Sequence, residues 1–321
     1  MDLHLLIDNL KNPALLFFFL GILAVQLKSD LEIPSNSSKF IALYLLFSIG
    51  FKGGLELSHS TFDFEILWSL LFGILLALLV PICAYFILRM KFSVENSGAI
   101  AASYGSVSAV TFVTAVSFLE IEKIDFGGHM VAVMALMEAP SIIVGVLLMS
   151  YYKRKNGTPV KLNGVLHHSL TNGSVLLILG SLLIGYLASD EQARGIEPFT
   201  TDIFKGFLVV FLLDMGITSG KKLQDFWNKG RFAVLFALIT PLINGCLVAI
   251  ISSSFTSSTG NRFLFAILAA SASYIAVPAA MRLAAPKANP SLYVPMALAV
   301  TFPFNITLGM PLYLYLVNLY P

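Results

Sequence analysis

AASYGSVSAVT, at residues 101–111, is a run of small and hydroxylated residues set inside an otherwise greasy chain. Glycine among serines weakens a helix, because each offers the backbone a non-helical alternative. Irregular polar backbone at membrane depth persists only where it is buried in protein or lines a cavity. A partial echo, AASASYIAVP, stands at residues 269–278. Two such interruptions at matching places in two halves of a chain point to the substrate site of a transporter.

The surroundings of these stretches fix the class. Of 321 residues, 57% are hydrophobic and 12% charged, about half the charged share of a soluble domain. An all-α integral membrane protein is expected. The net charge is +2 and no basic run exceeds Lys153, Arg154 and Lys155, so nothing suggests nucleic acid. Cys83 and Cys246 lie in apolar segments without partner spacing and read as small core hydrophobes. The five histidines show no metal-ligand spacing, and no cofactor is expected beyond a sodium ion for coupling. GxSxG and Walker-type motifs are absent from the sequence, which argues against a hydrolase and against ATP-driven transport. No nucleophile and base pair suggests an enzyme.

Spans of about 20 apolar residues fall at roughly 13–27, 40–58, 66–88, 98–119, 127–151, 167–188, 203–219, 231–254, 262–284 and 291–318. The first lacks the flanks of a cleavable signal and counts as a span. Lysine and arginine crowd the loops after odd-numbered spans, as at Lys91, Arg154 and Lys222, while acids such as Asp125, Glu191 and Asp202 follow even-numbered ones. The positive-inside rule then makes the odd loops cytoplasmic and leaves both termini outside. The location implied is the inner (plasma) membrane, with many passes through the lipid.

An internal repeat is visible. LYLLFSIGFKGGLEL, from Leu43, matches VVFLLDMGITSGKKL, from Val209, and places Gly50 and Gly54 over Gly216 and Gly220. The third and eighth spans carry Pro81 and Pro241 in their middles. With five spans per half, an odd number, the halves must lie in opposite orientations: residues 1–151 and 167–321, joined by a basic cytoplasmic linker at 152–166. The fourth and ninth spans are expected to be discontinuous.

In the fourth span Ser103, Gly105, Ser106, Ser108 and Thr111 crowd together. A half-helix resuming near Val107 would present free amides and a positive dipole end, a ready anion site. Its hydroxyls could equally serve a sodium ion, or the small residues could serve close helix packing. The ninth span offers Ser271, Ser273, Tyr274 and Pro278, the last disfavouring helix at Val277. Glu138 lies midway along the fifth span before Pro140, and its counterpart in the tenth is near Asn305. Intramembrane charge is functional by default. The pair suits cation coordination or the positioning of the broken segments, while a structural carboxyl capping backbone freed by Pro140 is the other reading. Ser103, Thr111, Glu138, Ser271 and Asn305 are thus the candidates for ion coupling. Lys52 reads as a snorkelling side chain, and Asp214 is a second buried-acid candidate.

KGGLELS after the second span, YGSVSAVTFVTA in the fourth, MEAP in the fifth, TPLINGCL in the eighth and ASASYIAVPAAMR with APKANPSLY around the ninth together resemble the sodium-dependent bicarbonate transporters of the SbtA type. The resemblance implies a homotrimer of ten-span subunits. In each, a core (spans 3 to 5 and 8 to 10) moves against a gate (spans 1, 2, 6 and 7) in an elevator-like cycle. It also implies a small anion, bicarbonate by preference, taken up with sodium. The substrate contacts it assigns fall on Gly105, Ser106, Val107, Ser108, Ala109, Ser273, Tyr274 and Ile275. This chain departs from the cyanobacterial pattern at Tyr274, where an aspartate is expected, and at Val110, where a serine is. The linker is short for docking a PII-like regulator. Transport of another small anion or carboxylate without sodium, or a sensor or scaffold role, are the competing functions.

Overall fold

The computed structural model describes residues 7, 9–60, 63–153, 171–226 and 230–320, and the regular elements among them are helices. The linker from residue 154 on, with Arg154, Lys155 and Lys161, lies outside the described residues, as do His4, His167, His168 and Lys229.

The helices, in chain order, are α1 (Pro13–Gln26), α2 (Ser35–His59), α3 (Phe64–Leu88), α4 (Val94–Gly105), α5 (Ala109–Glu122) and α6 (His129–Lys153). After the linker come α7 (Gly173–Leu187), α8 (Asp190–Glu197), α9 (Ile203–Phe226), α10 (Arg231–Ile251), α11 (Thr259–Ala270), α12 (Ala276–Ala284) and α13 (Pro290–Leu319). Among the described residues, seven helical runs are long and apolar enough to cross a membrane, counting α4 with α5, while α1 and α7 are apolar but shorter. Leu67, Trp68, Leu71, Leu75 and Leu79 stand exposed along α3, and Leu235, Ile239, Ile243 and Leu247 along α10. So much contiguous apolar surface suits lipid, not water. Cys83 is exposed on α3 rather than buried, which corrects its reading as a core residue: it belongs to this outward face.

Two pairs of helices are seamed by glycine. On α2, Gly50 and Gly54 lie against the backbone of α7 at Ile178 and Leu182, and Gly185 of α7 lies against Phe51. On α9, Gly216 lies against Phe18 of α1 and Gly220 against Val25, and Gly21 lies against Leu213. A side chain at most of these glycines would run into backbone, so small residues set the approach. The two seams exchange partners between the halves: α2 of the first half pairs with α7 of the second, and α9 of the second with α1 of the first.

The remaining helices pack as two groups, α3 with α4 and α6, and α10 with α11 and α13. Each holds a mid-helix proline whose missing amide frees a carbonyl one turn back. The Ser141 hydroxyl of α6 lies 2.9 Å from the Ala77 carbonyl freed by Pro81. The Thr301 hydroxyl of α13 donates to the Ala237 carbonyl freed by Pro241, at 2.7 Å. Helix α13 widens into π turns at Met296–Thr301 and Asn305–Gly309, next to Pro295 and Pro303. These turns set Thr301 and Asn305 where they meet the broken helices.

The second break departs from expectation in its cause. Pro278 lies in the first turn of α12, where no amide is needed, and Val277 is helical. The non-helical stretch is residues 271–275, ahead of the proline.

Candidate functional site

Both breaks sit at the boundary between two apolar layers. One layer gathers α5, α11 and the later part of α13; the other gathers α4, α12 and the start of α13. The first broken helix therefore passes from the second layer to the first, and the second broken helix passes back. The two run antiparallel and meet at their interruptions.

The meeting is made by backbone as much as by side chains. The Ser273 amide donates to the Ser103 carbonyl at 2.8 Å, and the Ser103 hydroxyl donates to the Ser273 carbonyl. From the other break, the Ser108 amide donates to the Ser271 hydroxyl at 3.1 Å, which donates to Leu268. These bonds satisfy backbone that has left the helix, as burial away from water requires.

The helix starts differ. Ser108 caps α5, its hydroxyl accepting from the Thr111 amide at 3.2 Å. Helix α12 begins after Ile275 with no side-chain cap, and its first amides lie at the wall of a cavity. The helix ends opposite are also braced: Ser141 reaches the Gly105 carbonyl at 2.6 Å, and the Asn305 side-chain amide donates to the Ala270 carbonyl at 2.8 Å.

The cavity has a volume of about 30 Å³. Val107, Ser108, Ala109, Ser273, Tyr274 and Ile275 line it from the breaks, with Glu138 from α6. Ala42, Leu45 and Leu46 of α2, Ser174 of α7 and Phe211 of α9 close it from the glycine-seamed side. Glu138 is 5% exposed, and its Oε1 has no hydrogen-bond partner. The Tyr274 hydroxyl donates to the Met215 sulfur on α9 at 3.5 Å, and the ring packs against both apolar layers.

Six of the eight residues that sequence reasoning assigned to substrate, and Glu138, therefore converge on one small space. Gly105 and Ser106 do not line it. A side chain at Gly105 would strike the Pro81 ring, and Ser106 is fully buried with an unpartnered hydroxyl. Ser103, Thr111, Ser271 and Asn305 hold the broken segments in place. Asp214 is buried on α9, one residue from the Met215 that Tyr274 touches. Lys52 is not a lone snorkelling side chain: its ammonium is 2.6 Å from Glu120 of α5, an arrangement hidden in sequence by a separation of 68 residues. The wall residues of α2, α7 and α9 were also missed, because they are plain apolar or small residues with no signal apart from their place in the fold.

A multi-pass helical protein whose two broken helices cross beside a small cavity has the architecture of a membrane transporter. The chain matches the family model of the Na+-dependent bicarbonate transporter superfamily over residues 13–318, and it belongs to that superfamily. No curated protein matches it.

Proposed function

We propose that the protein is a secondary transporter that carries a small anion, bicarbonate, together with sodium. Ten spans in two inverted five-span repeats form each subunit, and α3–α6 with α10–α13 move as a core against a gate of α1, α2, α7 and α9. The observation that carries this reading is the cavity: its walls come from both breaks on one side and from the gate helices on the other. Its volume of about 30 Å³ leaves room for roughly two water-sized groups, which suits small ions and excludes a sugar or nucleotide in this state. The exchanged glycine seams and the matched proline patches support the inverted repeat. The charge bias of the loops supports outward-facing termini, and the family resemblance supports a trimer.

Within the cavity the uncapped start of α12 is the place for the anion, since free amides and the helix dipole both favour negative charge. Glu138, with an unpartnered buried oxygen, is the natural partner of the cation, because a lone ionised carboxylate there would cost several kcal/mol (about the penalty of any unpaired buried ion). Chemical work in this cycle consists of desolvating an ion pair and moving it, without a covalent step.

Purified protein in liposomes decides the question. Labelled bicarbonate should accumulate under an inward sodium gradient and should not under potassium. Uptake that ignores sodium would overturn the coupling and favour the reading that Tyr274, which brings no charge, suggests. Uptake of neither bicarbonate nor formate, acetate or nitrate would overturn transport itself.

A further inference from the structure

From the cavity a path toward a second, outer hollow can be traced along two helices. On α2, Ala42, Leu45 and Leu46 line the cavity, and farther along Ile49, Lys52, Gly53 and Glu56 line an outer hollow of about 340 Å³. On α5, Ala109, Val110 and Val113 line the cavity, and Val116, Glu120 and Lys123 line the same hollow. At 1.5 Å of rise per residue, Leu46 to Lys52 is about 9 Å and Val113 to Glu120 about 10 Å. The two helices are rails between the cavity and the hollow, with Ile49 and Val116 as an apolar collar. The hollow is a vestibule, and its rails belong to different bodies: α2 is seamed to α7, whereas α5 packs with α11.

One ion pair joins the rails. Lys52 Nζ lies 2.6 Å from Glu120 Oε1, with the side chains 29% and 26% exposed. Phe204 of α9 backs the ammonium at 5.5 Å from the ring centroid, so two gate helices hold the cation and one core helix holds the acid. The vestibule also carries Glu56, Lys123 and Asp125. Acids outnumber lysines there, so the wall does not concentrate anions by its field, and the pair matters through the contact it makes.

We propose that Lys52 and Glu120 form the lock on the vestibule side of the translocation path. While the pair is made, α5 is tied to α2 and the collar stays shut; when it breaks, the core end of the path can part from the gate and the cavity joins the vestibule. This rests on the reading of α5 as part of a moving core, but its test needs no flux.

The test uses full-length protein in detergent with Cys83 and Cys246 replaced by serine and Val110→Cys as reporter on the cavity wall. The rate of reaction with a small charged methanethiosulfonate is the readout. Glu120→Gln and Lys52→Gln should each raise that rate at least tenfold, and the reversed pair, Lys52→Glu with Glu120→Lys, should return it to within threefold of the parent. Equal rates in the parent and the two neutral variants would overturn the lock. A reversed pair that reacts as fast as the neutral variants would overturn it too, since the effect would then not come from the ion pair. Glu120→Gln keeps size and shape, and its thermal midpoint checks that it folds. Failure of bicarbonate uptake with intact lock behaviour would count against the substrate, not against the lock.

Discussion

The two breaks are built from similar sequence and end up chemically unlike. The first spans residues 106–108 and is followed by a 14-residue helix that its own Ser108 caps. The second spans residues 271–275 and is followed by a nine-residue helix with no side-chain cap. In the first break the Ser108 hydroxyl caps its own helix, and the Ser108 amide donates to the Ser271 hydroxyl of the second break. The second break, although it holds Ser271, Ser273 and Tyr274, leaves the start of α12 without a side-chain cap at the cavity wall. Where a hydroxyl stands relative to the helix start, and not how many hydroxyls a break holds, therefore decides which helix start is capped.

The harshest way to break this contrast is at the backbone bond that joins the two segments. Ser273→Pro removes the amide that donates to Ser103, and proline where a bonded amide stood costs about 3 kcal/mol or more. Loss of folded protein on gel filtration is expected, with no transport. Ser273→Ala keeps both backbone bonds and should stay within about 0.5 kcal/mol of the parent in thermal unfolding. If the two variants behave alike, the junction is not held by its backbone.

A milder intervention tests which break is open. Ile275→Asp places a carboxylate before the first amides of α12, where a half-exposed side chain and the helix dipole tolerate it; the dipole alone favours it by about 0.3–1 kcal/mol. The protein should keep or slightly gain thermal stability. Anion uptake should fall at least tenfold, because the acid takes the place of the substrate. Uptake within twofold of the parent would move the anion away from α12.

These contrasts explain what could be read in advance. The interruptions at 101–111 and 269–278 were legible because serine and glycine in a long apolar context have few other uses. Gly50, Gly54, Gly216 and Gly220 were legible as matched positions of the repeat, although which helix each would meet was not. Their partners lie in the opposite half, and periodicity carries no such information. Ser189 and Gln192, which form a capping box at the start of α8, announce a helix there by the S-x-x-Q spacing, but α8 is too short and polar to register among spans. The cap on α5 and its absence on α12 were beyond sequence. Both depend on where the chain re-enters the helix, and in the second break that point lies ahead of Pro278 instead of beside it.

Tyr274 is the place where the second break differs most from the family pattern, and its replacement has a small expected effect. Its hydroxyl reaches the Met215 sulfur, a weak acceptor, and the Ser108 side chain. Its ring meets Phe302 edge-on at 6.4 Å and packs against both apolar layers. The ring thus fills the junction, and the hydroxyl adds a contact from the second break to α9. Tyr274→Phe keeps the ring and should cost about 0.5 kcal/mol or less, the low end for a hydrogen bond, with bicarbonate uptake within about twofold of the parent. A tenfold loss of uptake with unchanged thermal stability would sink that reading. The phenol would then be a ligand for the transported ions, and the second break would have replaced a carboxylate by a neutral oxygen instead of giving up its polar contact.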